Sequence, residues 1–395
     1  MENSLKIAFV GNFYGHGKVY DQWGTSFCIL LSRLSYVDKI DVMCPISDQN
    51  LETTLPDKIN IKETFDLSKS FSIFNIRNKI KKGNYDLVIF NYGPTVFGKS
   101  NIMNLLGLFI PIYSSRLANT VIISQGSSLT NDATNLGYNS LKDRLKYRIL
   151  IMLEKHLYRK VKSFAQLPVY EKMLKEKVKN NRVSGVLKSD YIDAIFTVYM
   201  NGKINEEIIE SVMNKDIPNI LLHGFWGPQK NIKFALETMK SLKDNYYKFN
   251  LIISGGINVH FPGYKSYFDN VLNEYKNIYS YYLGYVQERD LMDLFLKSDL
   301  ILMPYNVPGG QSGVLEMSSF FGNNVICLDF PEFREEVKEG DNIILVGKNN
   351  FYEKIKKYLD NYKPSIRNIE IKKKIDSAEE NVDKFIKKAL AIEEI

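Results

Sequence analysis

Short apolar runs alternate with helical periodicity along almost the whole chain, and no other feature narrows the possible folds as much. In the first half KIAFVG (6–11), KIDVMCP (39–45), YDLVIFNYG (85–93), TVIISQG (120–126) and KSFAQLP (162–168) read as strands. Their apolar runs are continuous rather than strictly alternating, as expected of parallel strands covered on both faces. Helical patterns fall between them, at about 24–36, 71–82, 101–117 and 139–160. The second half repeats the scheme with NILLHGF (219–225), FNLIISGG (249–256), IYSYYLGYV (278–286), LILMPYN (300–306) and NVICLDF (324–330). Helices are expected there near 230–244, 264–276, 288–298, 312–322 and 350–361, with a last one over 377–393. Strands and helices at this spacing predict two doubly wound, Rossmann-like parallel sheets sharing a cleft. The join falls around 190–215, where strand character is lost. The expected domains are therefore 1–198, completed by a C-terminal helix (377–395) that crosses back to it, and 199–376.

At 395 residues the chain is long enough for two ordinary cores. Its three cysteines, Cys28, Cys44 and Cys327, are scattered through apolar contexts with no CxxC pair. This speaks against a disulfide framework or a zinc site and fits a reducing, cytoplasmic setting. The N-terminus runs directly into a strand, so no signal peptide is expected. The longest apolar stretch, IMNLLGLFIPIY (102–113), is too short to span a bilayer and is broken by Pro111. A formal net charge of +7 favours an acidic partner without choosing among phosphate, anionic lipid and nucleic acid.

Glycines gather where strands pass into helices. GNFYGHGKVYDQWG follows the first strand and carries Gly15 and Gly17, but it lacks the spacing of a dinucleotide fingerprint, which argues against a dehydrogenase. HGFWGPQKN places Gly224 and then Lys230 at a helix start. A cation there is unfavourable next to the helix dipole unless an anion lies between them. SGG (254–256) and LGYV (283–286) end the next two strands. PYNVPGGQSGVLE (304–316) then brings Gly310, Gln311, Ser312, Gly313 and Val314 to a helix N-terminus, with Glu316 just inside it. Bare backbone at a helix start suits an anionic ligand, because the first N–H groups have no partner within the helix. An ordinary strand-to-helix turn, with Glu316 resting on the helix dipole, accounts for the last stretch equally well when it is taken alone. No DxD pair stands at a strand end, so no metal is expected.

In order and spacing, HGFWGPQK (223–230), ISGG (253–256), LGYV (283–286), SDLILMPY (298–305) and QSGVLEMSSFFGNNVIC (311–327) resemble the donor-binding lobe of retaining GT-B glycosyltransferases of family four. The first half resembles the acceptor lobe more loosely. The resemblance implies hexose transfer from a nucleotide-diphosphate sugar to a glycan or lipid-linked saccharide, with retention and without a cofactor. Lys230 and the N–H groups around Ser312, Gly313, Val314 and Gly15 or Gly17 would hold the diphosphate. Glu316 would hold the ribose hydroxyls, the main chain of Tyr285 and Val286 the base, and Gln125 of ISQG a sugar hydroxyl. The chain departs from the family where Phe225 replaces an arginine and Pro308 a glutamate. These losses leave two rival readings in view, a non-catalytic GT-B-like binding subunit and a GT-B-fold epimerase.

The segment 139–163 is rich in Lys and Arg, with Leu141, Leu145, Ile149 and Leu153 recurring every four residues. A basic amphipathic helix of this kind predicts a peripheral association with an anionic membrane surface, unless its apolar stripe packs on the sheet. Nucleic acid is not an expected partner.

Overall fold

The computed structural model describes residues 4–14, 21–47, 55–69, 71–93, 96–98, 101–130, 141–200, 211–214, 216–258, 261–307, 310–364 and 369–391. Gly15, Gly17, Pro308, Gly309 and His260 lie outside them. The chain forms two compact units, one of Met1–Ile192 with Ile375–Ile395, the other of Asp193–Lys374.

The first unit is built on a seven-stranded parallel sheet. Its strands are β1 (Leu5–Val10), β2 (Val37–Pro45), β3 (Ile59–Phe65), β4 (Leu87–Tyr92), β5 (Asn119–Ser124), β6 (Lys162–Ala165) and β7 (Val183–Val186). Their order is β3-β2-β1-β4-β5-β6-β7. β1 and β4 lie side by side although four elements separate them in the chain, so the strand order reverses between them. Ala8, Val10, Val88, Phe90 and Ile122 are buried in one core of this unit, beneath Leu157 and Tyr158 of the helix Leu141–Lys160. The helix expected over 101–117 is two, Asn101–Gly107 and Phe109–Ser114. Pro111 falls in the first turn of the second, where its missing N–H costs nothing. The C-terminal residues belong to this unit through Phe385, whose ring meets Phe27 and Phe164 edge-on. Arg33 pairs with Glu379 at 2.5 Å, and Lys162 Nζ donates to the carbonyl of Lys388.

The second unit has six parallel strands: β8 (Asn219–His223), β9 (Asn250–Ser254), β10 (Tyr281–Tyr282), β11 (Leu300–Met303), β12 (Asn324–Leu328) and β13 (Ile343–Val346). Their order, β10-β9-β8-β11-β12-β13, is the 3-2-1-4-5-6 arrangement of a doubly wound sheet. Ligands of such sheets bind beyond the carboxyl ends of the strands where the order reverses, which here is between β8 and β11. Cys28, Cys44 and Cys327 are free and buried. Among the described residues no helix is long and apolar enough to cross a membrane.

Candidate functional site in the second unit

Three glycine loops meet backbone to backbone at the carboxyl ends of β8, β9 and β10. Gly224, which follows β8, has φ +140°, and Gly255, which follows β9, has φ +108°. A Cβ on Gly255 would stand 1.9 Å from the carbonyl oxygen of Gly224, so no other residue fits. The Gly255 N–H in turn donates to the carbonyl of Gly284. Trp226 locks the same corner, with its indole N–H on the carbonyl of Ser254 and its backbone N–H on that of Gly256.

Lys230 closes a short 3-10 turn, Pro228–Lys230, ahead of the helix Ile232–Asp244. Its side chain runs back under Gly224, and its ammonium lies 3.5 Å from the ring centroid of Tyr305, beyond β11. A backbone hydrogen bond from Asn306 to Gln229 ties the two loops together at 2.8 Å. The ammonium makes no ion pair among the described residues. Burial pulls its pKa down to about 7, which the more distant Glu336 carboxylate only partly opposes. His223, hydrogen bonded through Nδ1 to Ser254 Oγ at 2.8 Å, is held neutral by burial and by the nearby Lys230, its pKa near 3. It packs against the ring of Phe295.

The helix Gly313–Phe320 starts beside this lysine-bearing corner. Ser312 caps it, its hydroxyl accepting from the Leu315 N–H. Glu316 is buried in the first turn, and Gln311 donates its side-chain amide to the Glu316 carboxylate. The Ser312 N–H donates to both oxygens of Glu336 at 3.2 and 3.0 Å. Part of this helix end is therefore already occupied by a side chain of the unit itself. The N–H groups of Gly313 and Val314 remain as first-turn donors without a partner in the helix. Glu336 and Asp193, whose carboxylate lies against Gly313, are two acids that the sequence pattern did not mark. Burial raises Asp193 to about 7 and, with Asp193 beside it, raises Glu336 well above the carboxylate range. Glu336 sits in the acid-rich run PEFREEVKEG, which reads as solvated surface.

Of the remaining predicted residues, Tyr285 is exposed and Val286 is buried. Tyr285 Oη donates to Glu288 at 2.6 Å, and its ring stacks on the exposed Phe225 with centroids 6.4 Å apart. Phe225, standing where the resemblance leads one to expect an arginine, thus forms half of an aromatic ledge next to Gly224. Gln125 belongs to the first unit, at the end of β5. It is buried, and its Nε2 has no partner among the described residues. Asn91, near the end of β4, is buried beside Gly11 and has no partner for either side-chain atom among the described residues.

Residues 204–376 match the family model described as glycosyl transferases group 1, a span close to that of the second unit. No curated protein sequence matches the chain. Solved structures match it from end to end. Sucrose-phosphate synthase from Thermosynechococcus elongatus is 14% identical, covering 98% of this chain and 97% of its own, with a TM-score of 0.65. Anabaena HepE in complex with UDP and glucose is 12% identical, covering 98% and 95%, with a TM-score of 0.60. A candidate UDP-N-acetylglucosamine 2-epimerase from Listeria monocytogenes is 15% identical, covering 99% and 98%, with a TM-score of 0.57. At these identities the likeness is one of fold, and the fold is the GT-B type of two Rossmann-like units.

Proposed function

We propose that the chain is a glycosyltransferase that takes a hexose from a nucleotide-diphosphate sugar and passes it to a saccharide or lipid-linked saccharide. The observation that carries this reading is Lys230. It is a part-buried ammonium at the reversal point of the second sheet, with no ion-pair partner among the described residues and the first-turn N–H groups of the helix Gly313–Phe320 close by. A diphosphate supplies the missing anion. The family match over 204–376 and the fold shared with a UDP-bound protein support the same reading.

In this scheme the bond from C1 of the sugar to the diphosphate breaks as the bond from C1 to the acceptor oxygen forms. The departing phosphate takes the acceptor's proton, and the configuration at C1 is retained. Lys230 and the Gly313 and Val314 N–H groups stabilise the charge that develops on the leaving group. Glu316, oriented by Gln311, accepts from the ribose hydroxyls, and the main chain of Tyr285 and Val286 holds the base beside the Phe225 ledge. In the first unit, Asn91 and Gln125 offer both donors and an acceptor, a set that suits hydroxyls better than phosphate.

Two observations favour other readings. Phe225 and the engagement of Ser312 with Glu336 fit a subunit that binds without turning over. Asp193 and Glu336 are acids of the kind an epimerase needs, although their contacts with Ser312 and Gly313 give them a structural task. Incubation with a panel of nucleotide sugars separates the three. Release of nucleoside diphosphate identifies transfer or hydrolysis, inversion at a sugar carbon identifies an epimerase, and binding without turnover identifies a binding subunit.

The role of Glu316 has its own test. Glu316→Gln is expected to weaken nucleoside diphosphate binding by about 1–3 kcal/mol, because hydrogen bonds to a charged acceptor are the stronger kind. Calorimetric titration measures this. Unchanged affinity with a slightly lower melting temperature would leave Glu316 as a dipole partner only.

A further inference from the structure

We propose that the outward face of the helix Leu141–Lys160 is a docking surface for an anionic lipid bilayer. This helix already has a packed side: Tyr147, Glu154, Leu157 and Tyr158 are buried in the first unit. The opposite side carries Leu145, Ile149 and Met152, which are 60%, 40% and 61% exposed. Steps of four and three residues line them up along one ridge. The sequence left open whether the apolar stripe packs on the sheet. In the structure Leu145 and Ile149 point away from it, whereas Leu153 of the same stripe packs on the core.

Single exposed apolar residues are ordinary, whereas three in line on the solvent side of an already packed helix form a patch. Arg144, Lys146, Arg148 and Lys160 are exposed on either side of this ridge. Glu154, one of the two acids of the helix, has its carboxylate turned inward to Tyr92 and Ser127. The face is therefore both apolar and cationic.

That combination selects the occupant. A second copy docking by two-fold symmetry would bring the same cations against one another. A nucleic acid would pair with the cations and leave Leu145, Ile149 and Met152 in water. An anionic bilayer takes both, with the ridge at the acyl boundary and the long Arg and Lys side chains reaching the headgroups. Binding would be peripheral. The apolar segment 105–113, expected to assist, does not provide a second such ridge: Leu105, Leu106 and Ile112 pack on the core, where Leu108 and Ile110 are buried.

The test is sedimentation of the full chain with vesicles of phosphatidylcholine alone and with added phosphatidylglycerol, at low and high salt. It does not depend on the glycosyltransferase reading. The wild type is expected to sediment with the phosphatidylglycerol vesicles at low salt, at least about tenfold more strongly than with phosphatidylcholine alone or at high salt. Leu145→Ser/Met152→Ser and Arg144→Glu/Arg148→Glu should each weaken binding by about tenfold or more, with the unfolding midpoint unchanged because these side chains face outward. Failure of the wild type to bind at low salt, or wild-type binding by either variant, overturns the proposal. So does sedimentation without vesicles that the serine variant abolishes, since that would assign the ridge to a second copy.

Discussion

Replacing Lys230 with alanine is expected to lower turnover by about 10²-fold or more while the chain still folds, the usual cost of removing one preorganised charge from a leaving group. The loss should appear in kcat as well as in kcat/KM, because the charge on the diphosphate grows as its bond to the sugar breaks. The same residue makes a second, opposite prediction for stability. Burial lowers the pKa of the folded state to about 7 from an ordinary 10.5. Between those values the unfolded chain binds the extra proton, so the protonated lysine destabilises the fold fully below about pH 7 and progressively less as pH rises towards 10.5. Lys230→Met should therefore raise the unfolding midpoint, most at the acid end of that window, while abolishing turnover. An anion-binding lysine is a site kept at the expense of stability. Near-normal turnover in Lys230→Ala would sink the assignment. A midpoint that falls in Lys230→Met at every pH would show that the contact with the Tyr305 ring outweighs the cost of burying the charge.

The strands legible in the sequence are those inside the sheets. β1, β4, β5, β8, β9, β11 and β12 are flanked on both sides, so their side chains face helices above and below and their apolar runs are continuous. The sequence reading missed β3, β7 and β13, and β10 shrinks from the nine residues expected to Tyr281–Tyr282. All four are edge strands. INIKETF of β3 mixes charge with apolar residues because one side of it has no neighbour, and VSGV of β7 is too short to carry a period. The helices Pro168–Lys177, Ile192–Met200 and Pro331–Glu336 were also missed. At the site, glycine loops and a lysine at a helix start are visible as local exceptions to propensity. Glu336 and Asp193 are not, because what distinguishes them is a neighbour 24 and 120 residues away in the chain, Ser312 in one case and Gly313 in the other.

Glu154 of the helix Leu141–Lys160 is expected to give the largest stability loss of any single residue discussed. Its carboxylate accepts from Tyr92 Oη at 2.7 Å and from Ser127 Oγ at 2.9 Å, and it is wholly buried. Ser127 belongs to the loop that follows β5 and begins with Gln125. That loop is further held by Tyr147, which donates to the carbonyl of Ser128, and by the hydroxyl pair of Ser124 and Tyr158. Glu154→Ala would leave two buried hydroxyls without their acceptor and open a cavity. Each unsatisfied group costs about 1–3 kcal/mol, so a loss of about 3 kcal/mol or more is expected. Glu154→Gln keeps the shape and isolates the charge. Burial raises the folded-state pKa to about 7 from 4.5, against the opposing hydrogen bonds of Tyr92 and Ser127. The folded chain therefore holds the proton more tightly, and the stabilisation this gives is complete below about pH 4.5 and lost as pH rises through 7. The stability of Glu154→Gln relative to the wild type should accordingly rise across that window, as measured by denaturant unfolding at a series of pH values. A difference that stays flat with pH would mean that the carboxylate is ionised throughout and that the loop is held by a charge, not by a shared proton.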